Sequence, residues 1–111
     1  MAANSVPIPQ NTLAIEPIVS ADGTTTLICR GRITVETSGL FKAEVKRLSS
    51  QQQQVLADLS GVNFVDSSGL GTVLATYTSA KAAGCELKLV NVHPQVRDLL
   101  NITRLAGVLE G

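Results

Sequence analysis

The stretch from Val55 to Val90 constrains the fold most, because its hydrophobic period changes twice. Val55-Leu56-Ala57-Asp58-Leu59 is a short apolar run closed by Ser60-Gly61, which reads as a central strand. Leu70, Val73, Leu74 and Tyr77 then recur at i, i+3, i+4 and i+7, the spacing of one helix face. Gly84 is placed to end that helix. Glu86-Leu87-Lys88-Leu89-Val90 alternates as the next strand. Strand, helix and strand in this order imply two parallel strands joined by a right-handed crossover. A parallel strand covered on both faces reads as continuously apolar, whereas Glu86 and Lys88 interleave with Leu87 and Leu89. One sheet face is therefore expected to be wet, with the helices mainly on the other.

The remaining elements fit around this unit. Residues 1–10, with Pro7 and Pro9, read as a flexible lead-in, and residues 11–111 as the one domain. Leu13 to Val19 and Thr25 to Arg30 flank the turn residues Ala21-Asp22-Gly23-Thr24, so an antiparallel hairpin is expected. Leu40, Phe41, Val45 and Leu48 fall at helical spacing, and Thr37 or Ser38 is available as the N-cap. Gln51 to Gln54 reads as a solvated loop. Pro94 suits a first helical turn whose apolar stripe is Val96, Leu99 and Leu100, with His93 at the entry. Gly107 to Gly111 reads as the start of a short last strand. The predicted class is α/β, in the order ββαβαβα, with a mixed, mostly parallel sheet.

Composition excludes several functions. Nine Lys/Arg balance nine Asp/Glu, so the chain lacks the basic field that releases counterions from nucleic-acid phosphates. Phe41, Phe64 and Tyr77 are the whole aromatic set, too few for a row of base-stacking platforms. Cys29 and Cys85 lack CxxC spacing and read as buried, reduced packing residues rather than a disulfide or zinc framework. Met1 to Gln10 has neither a basic residue nor an apolar run, so no signal peptide is expected. Gly69 to Ala83 is interrupted by Thr72, Thr76, Thr78, Ser79 and Lys81 and falls short of the roughly 20 residues that span a bilayer. A soluble cytoplasmic monomer without membrane insertion is the expectation.

The segment richest in chemistry is Asn63-Phe64-Val65-Asp66-Ser67-Ser68-Gly69-Leu70-Gly71, between the central strand and the second helix. Ser67 or Ser68 can cap the helix, and Asp66 suits the positive end of its dipole. The same residues can instead display a hydroxyl where a phosphate is also accepted. Gly69 and Gly71 would leave the backbone open to approach. Enzyme chemistry finds little support. Val65 stands where a GxSxG elbow needs Gly, no GK[ST] of a P-loop occurs, and His93 is the sole histidine. Asp58 and Asp66 could hold a metal or mark a phospho-acceptor aspartate. A receiver domain, however, would show an acidic pair after Ile18-Val19-Ser20 and a late Lys, and no Lys follows Lys88. No catalytic residue, metal or cofactor is assigned.

Asp66-Ser67-Ser68-Gly69-Leu70-Gly71, preceded by Ala57-Asp58-Leu59-Ser60-Gly61-Val62, resembles the STAS domain of bacterial anti-sigma factor antagonists. Gly84-Cys85-Glu86-Leu87-Lys88-Leu89-Val90 and Leu100-Asn101-Ile102-Thr103-Arg104-Leu105 extend the resemblance over roughly Leu13 to Leu109. It implies a mixed sheet with helices on one face. It also implies a non-enzymatic module that binds a serine-kinase anti-sigma factor and so frees a sigma factor. In that family the phosphorylated residue is the Ser directly after the Asp, here Ser67, and its phosphorylation ends binding. The resemblance places the partner surface at Asp66, Ser67, Ser68, Gly69, Leu70 and Gly71. It adds Thr34, which follows Gly31-Arg32-Ile33 where the family often has Asp. STAS-like domains also serve as accessory subunits of lipid-transport ATPases and as scaffold modules in stress signalling.

Overall fold

The computed structural model describes residues 11–110, so the lead-in expected over residues 1–10 lies outside the described residues. The elements are β1 (Leu13–Val19), β2 (Thr24–Ile33), α1 (Ser38–Ser49), β3 (Gln54–Val65), α2 (Ser67–Ala82), β4 (Glu86–Val90), α3 (Pro94–Ile102) and α4 (Ala106–Leu109). The four strands form one sheet in the order β1-β2-β3-β4. β1 pairs with β2 antiparallel, and β3 is parallel to both β2 and β4. The hairpin and both crossovers thus stand as the periodicity predicts.

Burial follows the pleat. Leu27 and Cys29 of β2, Val55, Ala57 and Leu59 of β3, and Leu87 and Leu89 of β4 are buried. Their neighbours Ile28, Leu56 and Lys88 on the other face are half-buried. α1 and α2 pack on each other and over this core, with α3 against β3 and α4 against β4. Asp22 makes the β1–β2 turn by accepting a bond from the Thr24 N–H at 3.1 Å, an Asx-type closure. His93 caps α3 by accepting from the Gln95 N–H at 3.2 Å, with Pro94 in the first turn. Gly84, at φ +86°, ends α2.

Several details differ from the sequence expectation, each for a physical reason. β3 does not stop at Ser60-Gly61 but runs on to Val65, because Phe64 and Val65 find partners in Arg32 and Ile33 of a lengthened β2. Two register shifts absorb the irregularity. Leu40 is 56% exposed. Phe41, Val45 and Leu48, at i, i+4 and i+7, already fill the buried stripe of α1 and leave Leu40 on its flank. The tail forms α4 rather than the start of a strand. Helical bonds from Leu109 to Leu105 and from Glu110 to Ala106 seat the fully buried Leu109, and an Arg97–Glu110 ion pair of 2.7 Å ties α4 to α3.

The buried stripe of α2 is Gly69, Leu70, Val73, Thr76 and Ala80, whereas Leu74 and Tyr77 are only half-buried. Thr76 can be buried because its hydroxyl donates to the Thr72 carbonyl at 2.7 Å. Full burial of Leu74 would make Leu74→Ala cost about 2–5 kcal/mol. At its half-buried position we expect about 1–2 kcal/mol, read as the loss of unfolding free energy in urea. A cost at the upper end of the larger range would place Leu74 in the core after all.

Candidate functional site

The strand-to-helix junction after β3 is built by Asp66. Its backbone is extended (φ −87°, ψ 175°), so it is the residue at which the chain turns into the helix. One carboxylate oxygen accepts the Gly69 N–H at 2.6 Å, and the other accepts the Val35 N–H at 3.3 Å. Asp66 N–H itself donates to the Ile33 carbonyl at 3.1 Å. The cap is therefore Asp66 and not Ser67 or Ser68, the two candidates read from the sequence. A long-range tie to β2 decides it. The same carboxylate joins two loops, since Val35 lies between β2 and α1.

That assignment leaves the two serines available. Ser67 and Ser68 occupy the first turn of α2, both are exposed, and neither hydroxyl bonds to another described residue. The first N–H groups of a helix have no intrahelical acceptor. Those of Ser67 and Ser68 meet none among the described residues either. The junction thus presents two hydroxyls and two N–H donors at the positive end of a helix dipole, with Asp66 beside them.

The other predicted residues divide by burial. Gly71 is exposed, and a Cβ built on it would meet nothing within 4 Å. Gly69 and Leu70 are buried and support the junction from below. The lack of a side chain at Gly69 lets α2 close on β2, because a Cβ there would lie 2.3 Å from the Ile33 carbonyl oxygen. Thr34 is 6% exposed and fully engaged. Its hydroxyl donates to the Asn11 side chain at 2.8 Å and accepts the Glu36 N–H at 3.3 Å, while its N–H donates to Thr37 Oγ1. Thr37 Oγ1 in turn donates to the Arg32 carbonyl at 2.7 Å. Thr34 shapes the β2–α1 loop from inside. The exposed side chain next to Asp66 in that loop is Val35, which sequence reasoning missed; an isolated apolar residue carries no signal of its neighbours across the fold.

Asp58 and Asp66 serve separate structures. Burial works to raise the Asp58 carboxyl, but hydrogen bonds from Ser60 and Asn91 and the nearby Arg30 charge hold it below its ordinary value. No group of three metal-binding side chains forms among the described residues. Both cysteines are buried and free. Burial, and after it the Asp58 carboxylate, pushes the Cys29 thiol up to about 12. Burial likewise raises Cys85, with Glu86 adding to it. Neither should therefore react with a thiol-specific reagent at pH 7.5 in the folded protein, and both should react in denaturant. Stoichiometric labelling of the native chain would show that the burial is wrongly assigned.

With this geometry in hand, known proteins give it a context. The STAS domain family pattern matches residues 17–110. A STAS-domain containing protein of Pseudomonas aeruginosa is 29% identical over 92 residues, spanning 82% of this chain and 91% of its own. The anti-sigma-B factor antagonist of Bacillus subtilis is 29% identical over 80 residues, 72% of this chain and 73% of its own. Among solved structures, the anti-sigma factor antagonist SpoIIAA in its unphosphorylated form superposes with a TM-score of 0.70 at 22% identity, covering 88% of this chain and 86% of that one. The Bacillus SpoIIAA in its phosphorylated form gives 0.65 at 21%, covering 88% and 89%. A murine Solute Carrier 26 anion transporter gives 0.66 at 18%, covering 83% of this chain but 18% of its own. A family match over residues 17–110, which takes in most of the sheet and all the helices, places this chain in the STAS domain family.

Proposed function

We propose that the chain is an anti-sigma factor antagonist, a cytoplasmic and non-enzymatic module whose binding of a serine-kinase anti-sigma factor is ended by phosphorylation of Ser67. The observation that carries this reading is the free, exposed Ser67 hydroxyl at the start of α2, with capping delegated to Asp66. A serine spent on a cap would have to give up its bond to be modified; this one gives up nothing. The names of the Bacillus subtilis relative, an anti-sigma-B factor antagonist, and of a Paenibacillus polymyxa relative, an anti-sigma F factor antagonist, support the same role. Asp66, Ser67, Ser68 and Gly71 form the contact surface together with Val35, while Thr34, Gly69 and Leu70 set its shape.

Capture of partners from native cell extract, with and without phosphatase treatment, tests the proposal. Phosphatase should increase recovery of a small ATP-binding kinase, and mass spectrometry of the untreated chain should find phosphate on Ser67. Recovery of a membrane transporter subunit, unaffected by phosphatase, would instead make the chain a transport accessory.

A further inference from the structure

A second group of side chains lies at the end of β2 and β3 that carries Ser67. Of the chain's three aromatic residues, Phe41 is buried, Tyr77 is half-buried and only Phe64 is exposed. Phe64 stays 40% exposed although the Arg32 guanidinium lies over its ring, 4.2 Å from the centroid. The two residues are partners in the β2–β3 register, on the sheet face opposite the buried Ile33. Arg32 is fixed through its backbone on both sides. Its N–H donates to the Thr12 carbonyl at 2.8 Å, and its carbonyl accepts the Thr37 hydroxyl at 2.7 Å. The next residue, Ile33, accepts the Asp66 N–H at 3.1 Å, so the pair and the Ser67 junction share one frame. Exposed Val35, whose N–H donates to the Asp66 carboxylate, makes the surface continuous between them.

The charge of Arg32 is met by no acid. Among the described residues Arg32 enters no ion pair. Glu36, the acid of the following loop, bonds the Asn11 side chain instead, and both Asp66 oxygens are taken by backbone N–H groups. Arg30, two residues back, stands beside Asp58. A guanidinium stacked on a ring is weakly hydrated, and its planar donors match a carboxylate. Arginine and aromatic side chains are enriched in protein interfaces, and side chains fixed before contact cost less to order.

We infer that the anti-sigma partner's footprint extends from Ser67 onto the Phe64–Arg32 pair, where the partner sets a carboxylate against Arg32 and an apolar side chain against Phe64. The inference rests on the reading of Ser67 given above and names the chemistry its partner must present. It makes Arg32 a specificity residue, because a kinase with a basic side chain at that place is rejected by like charge.

Interferometry of the full chain against the kinase captured from phosphatase-treated extract is the test. Arg32→Gln should weaken binding about tenfold and Arg32→Glu about a hundredfold. Arg32→Lys keeps the charge without the planar fork and should lose about threefold. Phe64→Leu keeps apolar bulk without the ring and should lose about fivefold, whereas Phe64→Tyr should bind as the unsubstituted chain does. All five variants should melt within about 4 °C of the unsubstituted chain, since neither side chain is buried and the Arg32 backbone bonds remain. Raising NaCl from about 0.05 to about 0.5 M should slow association of the unsubstituted chain, and should slow Arg32→Gln much less. A merely structural role for the pair would leave that salt dependence unchanged between the two. If the unsubstituted chain captures no kinase, the reading of Ser67 falls and this inference with it. If the kinase binds and Ser67→Glu releases it, yet Arg32→Glu binds as tightly as the unsubstituted chain, this inference alone is overturned. Tighter binding of Arg32→Glu would overturn it too, by showing a base on the partner at that place.

Discussion

Ser67→Glu should lower affinity for the anti-sigma partner about a hundredfold while moving the melting temperature by less than about 4 °C. A hundredfold corresponds to about 2.8 kcal/mol, within reach of one misplaced charge at an interface. A phosphate on Ser67 adds about −1.5 to −2 charge, and two effects oppose each other within the domain. Asp66 repels it, since that carboxylate sits at the same helix end, bonded to Gly69 and Val35. The open N–H groups of Ser67 and Ser68 and the dipole of a 16-residue helix attract it. Being exposed, the phosphate keeps its hydration, so the balance inside the domain is small. The partner has no such allowance, because contact must strip water from the new charge beside Asp66.

The same reasoning separates the neighbouring variants. Ser67→Ala should bind constitutively and resist modification. Ser68→Ala should neither bind constitutively nor resist modification, since Ser68 is neither cap nor acceptor. Calorimetric titration of the captured partner with all four forms distinguishes these outcomes. Ser67→Glu binding as tightly as Ser67, with phosphate found only on Ser68, would end the assignment.

The legibility of this fold in its sequence was uneven, for reasons that particular residues make plain. The βαβ unit was readable because Leu87 and Leu89 alternate with Glu86 and Lys88, and because strand and helix periods differ too much to be confused. The buried face of α2 was misjudged by about one residue step. Thr76 and Ala80 line the core, but a hydroxyl bonded to its own helix and a lone methyl give no hydrophobic signal. The cap was ambiguous because Asp66, Ser67 and Ser68 are all good capping types. Only the bond from Asp66 to the Ile33 carbonyl, across 33 residues of chain, fixes where the helix begins. The motif itself was visible; which of its residues face solvent was not, since Gly69 and Gly71 read alike until α2 is set against β2.

That last distinction gives the second large effect. Gly69→Ala and Gly71→Ala add the same methyl group two residues apart and should act in opposite directions. At Gly69 the new Cβ would lie 2.3 Å from the Ile33 oxygen and 2.8 Å from the Ile33 carbonyl carbon. Both atoms belong to backbone, so no rotamer change relieves the clash, and α2 must draw away from β2. Overpacking of this kind costs about 1–3 kcal/mol or more, which is roughly a 4–20 °C fall in melting temperature for a domain of this size. The displacement also breaks the Asp66 bonds to Ile33 and Val35, so partner capture should fail although Ser67 is untouched. At Gly71 the Cβ meets nothing within 4 Å, and replacing Gly by Ala inside a helix stabilises by roughly 0.5–1 kcal/mol. Gly71→Ala should therefore melt a few degrees higher than the unsubstituted chain. Its methyl nevertheless projects from the surface assigned to the partner, so affinity should fall while stability rises. Thermal denaturation and partner titration of both variants separate the two roles. If Gly69→Ala melts normally and binds normally, α2 does not rest on the Ile33 carbonyl. If Gly71→Ala binds as before, the partner footprint ends short of the second turn of α2.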